Sequence, residues 1–297
     1  MTNRAGARAT PAEATPAATA WRDLLSWARP LVPHPMEARF IVEQVAGVDH
    51  QTPVSAEAAP PEAVALVHEL VARRAGGEPL QYVLGRWGFR TLDLMVDRRV
   101  LIPRPETEQV VEVALAELRH NRSWPSPVVA DLGTGSGAIA LSVATEAPGA
   151  EVWASDASPD ALAVASANRS SLGLDGRVRL VGGSWYAALP PALRGRLSLV
   201  VSNPPYIAAS EVPGLPAEVR DWEPRGALVA GPTGLEAITE ILRGAPRWLQ
   251  PGGSVVVELA PHQADAGVAL AHSAGLSGVE VGYDLAARQR VLVARAA

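Results

Sequence analysis

The sequence predicts an α/β fold with a small helical region in front of it. From Val128 onward, strand-like apolar runs at 128–132, 151–155, 177–181, 197–202, 253–259, 279–283 and 290–294 mostly alternate with Ala/Leu-rich helical stretches. A glycine-rich loop stands where the first of these runs passes into a helix, and the residues before position 80 show helical periodicity only. With 297 residues, 48% of them hydrophobic and 19% charged, the chain can bury a sizeable core and has room for two domains.

Taken in order, residues 2 to 19 are rich in Ala, Thr and Pro without a continuous apolar stretch. A disordered tail over 1–19, no secretory leader and a cytoplasmic location are therefore expected, since no later segment has the length of a membrane span. Trp21, Leu24, Leu25 and Ala28 recur at helical spacing, Pro35 and Gly47 bracket a second helix, and Pro61 to Gly76 frames a third with Val64, Val67 and Val71 on one side. These make a small helical domain over 20–86. Leu92, Leu94 and Val96 alternate, Asp97-Arg98 can turn, and Val100 with Ile102 resumes, so a β-hairpin linker is expected over 87–104. Pro105 then starts a helix at its first position, and 105–297 is read as the α/β domain.

Two loops of that domain carry chemistry. Asp131-Leu-Gly133-Thr134-Gly135-Ser136-Gly137 lets backbone come close to a ligand at a helix start. Its spacing departs from the dinucleotide fingerprint and has no Lys-Ser/Thr pair, which disfavours phosphate binding. Asp156, 25 residues after Asp131, ends the second run, where a carboxylate can accept both ribose hydroxyls or, alternatively, cap the helix from Pro159. Asn203-Pro204-Pro205-Tyr206 closes the run at 197–202 as a stiff hook, because both prolines fix φ and Asn203 is pushed to extended geometry. The Asn203 side-chain oxygen and the Pro204 carbonyl can receive hydrogen bonds from one planar NH2 group, with the Tyr206 ring beside it. That describes a site for an amide or an exocyclic amine; the plain alternative is a strand running into a proline turn.

The ordered set of glycine loop, Asp156 and Asn-Pro-Pro-Tyr resembles the class I S-adenosylmethionine-dependent methyltransferases, in the branch that methylates amide or amino nitrogens. Pro79-Leu-Gln-Tyr-Val-Leu-Gly85, followed by Val100-Leu-Ile-Pro103-Arg104-Pro105-Glu106-Thr107-Glu108, narrows the resemblance to the HemK/PrmC family, the peptide chain release factor N5-glutamine methyltransferases. Further matches are Trp185, Glu223-Pro224 before Ala227-Leu228, Gly234-Leu235, and Asp284 to Arg290-Val. The resemblance implies a Rossmann-like, seven-stranded sheet ending in an antiparallel hairpin, and S-adenosylmethionine as cofactor. It places Asp131, Gly133, Thr134, Gly135, Ser136, Gly137, Asp156, Trp185 and Asn203 at the cofactor. Asn203, Pro204, Pro205 and Tyr206 fall at the substrate, with Asn203, Pro204 and Tyr206 catalytic. It also implies a class-1 release factor as protein partner, its Gly-Gly-Gln glutamine in the cleft and the small domain helping to dock it. Read by itself, Trp185 could equally be core. Two positions depart from the family pattern: Ser184 stands where an acid is frequent, and Ala287 where glycine is common.

Other functions are weighed against that one. An N6-adenine methyltransferase on DNA or RNA would use the same acceptors, yet the net charge is −5 and no basic tail is present. Glutamine methylation of a ribosomal protein and a noncatalytic interaction module are the remaining alternatives. Between residues 70 and 104, seven arginines stand against three acids, readable as a solvated face or as a docking surface for a protein partner near RNA. The six histidines show no metal-ligand spacing, and the chain has no cysteine for disulfides or thiol catalysis.

Overall fold

Pro35, Pro61 and Pro105 each begin a helix, the position at which a missing N–H removes no helical hydrogen bond. The structure, a computed structural model, describes residues 19–48, 54–120 and 126–297, and the chain divides after Leu84 into two units. Residues 1–18 of the expected tail lie outside the described residues. Thr19, the last residue of that tail, is held by Ala59, whose N–H donates to the Thr19 carbonyl at 2.9 Å.

In the first unit, α1 (Trp21–Ala28), α2 (Pro35–Ala46), α3 (Pro61–Ala75) and the short α4 (Leu80–Leu84) follow the periodicity. Leu24, Leu25 and Ala28, then Ala38, Ile41 and Val42, then Val64, Val67 and Val71 are buried. The His34 side chain accepts from the Met36 N–H to cap α2, and Gly47 ends that helix at φ 67°, a conformation that suits a residue without Cβ. His68 stacks on Trp27 with ring centroids 4.0 Å apart.

The second unit opens with a hairpin, displaced from its expected place. Its strands are β1 (Arg86–Phe89) and β2 (Leu92–Met95), so the turn falls at Arg90-Thr91 and not at Asp97-Arg98. Arg90 adopts φ 52°, which tightens the turn, and its guanidinium is held by Glu112 and Glu146. Asp97 does turn the chain, accepting from Arg99 N at 3.0 Å, but Val100 and Ile102 beyond it are buried without pairing back into a strand. Buried Asn168 fixes β2 in this unit: its side chain accepts from Met95 N at 2.7 Å and donates to Met95 O and to Ser136 O.

After α5 (Pro105–His120) come β3 (Val128–Leu132), α6 (Ala138–Glu146), β4 (Glu151–Asp156), α7 (Pro159–Ser171), β5 (Val178–Gly182) and β6 (Leu197–Ser202). The short β7 (Ile207–Ala208), α8 (Ala217–Arg220), α9 (Arg225–Leu228) and β8 (Val229–Gly231) precede α10 (Glu236–Trp248), β9 (Leu249–Glu258), α11 (Ala264–Ser273), β10 (Ser277–Tyr283) and β11 (Gln289–Arg295). Among the described residues, seven strands form one sheet in the order β10-β11-β9-β6-β3-β4-β5. β9, β6, β3, β4 and β5 run parallel, while β11 pairs antiparallel with both β9 and β10. The mainly apolar runs of β3 and β6 are buried because helices cover both faces of the sheet.

Most arginines of the stretch 70–104 are paired with acids. Arg73 pairs with Glu78, Arg74 with Glu37, Arg86 with Asp93, Arg99 with Asp97 and Arg104 with Glu223, and the Arg98 guanidinium lies 4.0 Å over the Trp222 ring. Acids distant in sequence supply the countercharge that the local count missed. No helix among the described residues is long and apolar enough to cross a membrane.

Candidate functional site

Strand order reverses at β3, with β4 and β5 on one side and β6 and β9 on the other. Such a switch point opens a crevice at the carboxyl ends of the strands. The glycine loop follows β3, Asp156 ends β4 and Asn203 follows β6, so topology alone brings three distant segments to one place. A cavity of about 480 Å³ lies there, a size suited to a small ligand. Gly133, Thr134, Gly135 and Ser136 form one part of its wall; Asp156, Trp185, Asn203 and Pro205 also line it. Asp131, Gly137, Pro204 and Tyr206 are not among its lining residues.

Asp131 instead supports the loop from beneath. It is fully buried, and its Oδ2 accepts from Thr134 Oγ1 at 2.6 Å and from Ala140 N at 3.2 Å, while Oδ1 has no partner among the described residues. Burial pushes this carboxyl up to about 7, against the two hydrogen bonds that favour its charged form. Gly133 at φ 77° would place a Cβ 3.1 Å from the Trp185 ring, and Gly137 at φ 87° would place one 2.9 Å from Leu141. The positive φ favours glycine at both, and the neighbouring side chains leave little room for a Cβ. Asp156 braces the loop from the other side, accepting from Gly135 N and Ser158 N at 2.9 Å each. Ser158, not Asp156, caps α7 by accepting from Ala161 N, which settles that alternative.

Trp185 is half-buried and adopts φ 43°, a conformation rare for a bulky side chain. Strain of this kind persists where surrounding structure imposes it, here at the wall of the cavity. Ser184 beside it lines the cavity and is exposed, so the position where an acid is frequent carries no charge. Arg104 forms an ion pair with the buried Glu223, which ties Pro103 to Pro224, both on the cavity wall. Glu106 pairs with Arg288 at 3.0 Å.

The Asn203 carboxamide is held by a relay that the sequence did not reveal. Its Nδ2 donates to Thr107 Oγ1 at 3.0 Å, and the Thr107 hydroxyl donates its single proton to Glu258 Oε2 at 2.7 Å. Thr107 also lines the cavity, in the first turn of α5, and Glu258 ends β9 next to β6. Tyr206 Oη stands 3.5 Å from Glu258 Oε1. Burial pushes Glu258 up to about 7, opposed by the Thr107 hydrogen bond and the positive charge of Arg290. Tyr206 is pushed up to about 12 by burial and by Glu258. Gln263 locks the hook behind Asn203: its Nε2 donates to Tyr206 O at 2.9 Å and to Gly234 O at 3.0 Å.

Thr107 stands within a quoted motif, yet nothing in its neighbours marks its hydroxyl as a link. Glu258 had a usable signal, because an acid closing the apolar run Ser254-Val-Val-Val repeats the placement of Asp131 and Asp156. Asn168 and Gln263 carried none. Among the described residues no cluster of His, Asp or Glu could hold a metal ion.

Comparison with known proteins bears on the same two units. Residues 34–85 match the family model "PrmC N-terminal domain", and residues 110–214 match "Methyltransferase small domain". The protein named release factor glutamine methyltransferase from Cereibacter sphaeroides is 44% identical over 239 residues, which cover 80% of this chain and 81% of that one. The protein of the same name from Xylella fastidiosa is 48% identical over 76% of this chain and 79% of its own. That of Bordetella pertussis is 44% identical over 92% of this chain and 98% of its own. Among solved structures, the hMettl16 catalytic domain in complex with an RNA hairpin superposes with a TM-score of 0.56 at 17% identity, covering 77% of this chain and 82% of that one, a likeness of fold.

Proposed function

The chain belongs to the release factor glutamine methyltransferase family, and from that premise we propose that it methylates the side-chain amide N5 of the Gly-Gly-Gln glutamine in a class-1 release factor, with S-adenosylmethionine as donor. The observation that carries the reading is the Asn203 carboxamide, which lines the same cavity as the glycine loop and Asp156 with its nitrogen already engaged by Thr107. Its oxygen is left to accept from a substrate NH2.

The residues present fit the cofactor. Each Asp156 oxygen makes one backbone hydrogen bond and keeps acceptor capacity for a ribose hydroxyl. Gly133 and Gly135 let backbone approach the methionine part, and the Trp185 ring offers a face for adenine. Bound there, S-adenosylmethionine supplies an electrophilic methyl group on a positively charged sulfur.

A glutamine amide nitrogen is a poor nucleophile because its lone pair is delocalised into the carbonyl. Asn203 Oδ1 holds the NH2 so that this lone pair is directed at the methyl group. As the nitrogen gains positive charge its N–H groups become stronger donors, so this acceptor binds the transition state more tightly than the ground state. No strong general base is needed at the start. The small helical unit contributes to holding the release factor, and the reaction belongs to the cytoplasm, where translation ends.

The test is transfer of labelled methyl from S-adenosylmethionine to a purified, unmethylated release factor, to its Gln-replaced variant, and to unmethylated DNA and RNA. Label on the intact factor alone supports the proposal. Label on nucleic acid would move the assignment to adenine methylation, no label despite cofactor binding would point to another protein substrate, and no cofactor binding to an interaction module.

A further inference from the structure

Three groups meet behind the Asn203 side chain, each from a different element: Thr107 from the first turn of α5, Glu258 from the end of β9, and Tyr206 from the segment after β6. The direction of the hydrogen bonds follows from how many protons are available. An ionised Glu258 is an acceptor only, so the Thr107 hydroxyl must give it its proton. The Thr107 oxygen can then only accept, and the partner it accepts from is Asn203 Nδ2. With Nδ2 turned to Thr107, Oδ1 is turned the other way, to the cavity.

A Glu258 protonated on Oε2, the oxygen facing Thr107, reverses this order. Its O–H donates to Thr107 Oγ1, the Thr107 proton is released to donate in turn, and the favoured acceptor is Asn203 Oδ1. The carboxamide then rotates by half a turn and offers NH2 to the cavity, where a substrate NH2 would meet a donor instead of an acceptor. We propose that Glu258 is a positioning residue that, through Thr107, keeps the Asn203 oxygen facing the cavity, so that methyl transfer requires Glu258 to be ionised. This rests on the amide-methylating reading above and deepens it.

The surroundings allow Glu258 to change charge within a usable range of pH. It is 1% exposed, and its carboxyl stands at about 7 in the ligand-free protein. The groups facing it are Arg290 from β11, which favours the charged form, Glu106 from α5, which opposes it, and the Tyr206 hydroxyl. Arg290 in turn lies 3.7 Å from Asp284, and Glu106 is paired with Arg288. The positive charge of a bound sulfonium favours the carboxylate, so the working midpoint falls at or below about 7.

Two readouts test the relay. The first is independent of substrate: the side-chain NH2 resonances of Asn203 in the ligand-free protein, assigned by their loss in Asn203→Asp, followed from pH 5.5 to 8.5. They should titrate in the wild type and in Thr107→Ser, and stay flat in Glu258→Gln and Thr107→Val. The second is kcat against pH on the release factor at saturating cofactor. The wild type should lose rate on the acid side, Glu258→Gln should lose that limb, and Thr107→Val should lose both the limb and about tenfold in kcat, the worth of one hydrogen bond, with cofactor Kd within about twofold. Thr107→Ser should restore both. If the acid limb survives in Glu258→Gln, or the Asn203 resonances do not titrate, Glu258 is merely a buried partner and the proposal falls. If the wild type methylates no release factor, the reading of the function fails, while the resonances still decide the relay. Should Thr107→Val fail to fold, Glu258→Gln and Thr107→Ser decide it alone.

Discussion

Two buried carboxylates stand behind the cavity, and they are built in opposite ways. Asp131 sits under the glycine loop and bonds to residues three and nine positions away, so one short motif contains the whole arrangement. Glu258 sits behind Asn203 and bonds to Thr107, 151 residues away, which reaches Asn203 across another 96. Burial pushes both up to about 7. Asp131 keeps one oxygen without a partner, whereas Glu258 engages Thr107 with one oxygen and lies near Tyr206 with the other. The glycine loop is thus supported from beneath within one short motif and braced by Asp156 from the next strand. The Asn203 side exists only once the sheet has closed, and under the proposed function this is the side that sets which nitrogen is methylated.

The sharpest way to separate the two sides is to remove one acceptor from each. Asn203→Ala should lower kcat by about 10²–10³, or ~3–4 kcal/mol, while cofactor binding by calorimetry stays within about twofold. A variant with unchanged kcat would mean that Asn203 is no more than part of a proline turn. Asp156→Ala should do the reverse. Losing hydrogen bonds to a charged group costs about 1.5–3 kcal/mol, so cofactor Kd should rise roughly 10- to 100-fold with kcat at saturation changed only a few-fold. If the two variants shift the same parameter, the division into a cofactor side and an amide side is wrong.

The same contrast explains what the sequence made legible. Strands β3 and β6 and the helix starts at Pro35, Pro61 and Pro105 were readable because periodicity and proline geometry are local. Asp131, Asp156 and the glycine loop were readable for the same reason. Arg90-Thr91 was missed as a turn because neither residue is a usual turn former, and its φ of 52° is held by Glu112 and Glu146 from two later helices. Thr107, Gln263 and Asn168 act on partners 29 to 151 residues away, and no spacing rule spans that distance.

Acid–base behaviour gives a further separation, smaller in energy. A carboxyl whose folded-state pKa is raised binds its proton more tightly when folded, so its contribution to stability is fully present at low pH and is lost as pH rises toward the folded value. For Asp131 the window runs from about 4 to about 7. Asp131→Asn removes that titration, so the stability of the variant relative to wild type should improve by about 2 kcal/mol between pH 5 and pH 8, read from denaturant unfolding of the ligand-free protein. Glu258→Gln should move in the same direction. Only Glu258→Gln, however, should alter the pH profile of kcat at saturating cofactor, because among the described residues the Asp131 side chain hydrogen-bonds to Thr134 and Ala140 and to no residue of the Asn203 relay. A flat stability difference for Asp131→Asn would show that its carboxyl is already ionised well below neutrality.

The smallest effect concerns how the distant side is held in place. Arg290 reaches Glu258 from β11, and the turn that leads into β11 is organised by Asp284, whose side chain accepts from Ala286 N and Arg288 N. Ala287 in that turn is exposed and adopts φ 57°. A left-handed alanine costs about 1 kcal/mol, while glycine would add roughly 0.5 kcal/mol of entropy to the unfolded chain. Strain is the larger of the two, so Ala287→Gly should stabilise the protein by about 0.5 kcal/mol and raise Tm by about 1–2 °C. Removing an exposed methyl leaves no cavity to offset that gain. A lower Tm would mean that the turn relaxes away from φ 57° in solution, and that Arg290 is aligned with Glu258 by the β9–β11 pairing alone.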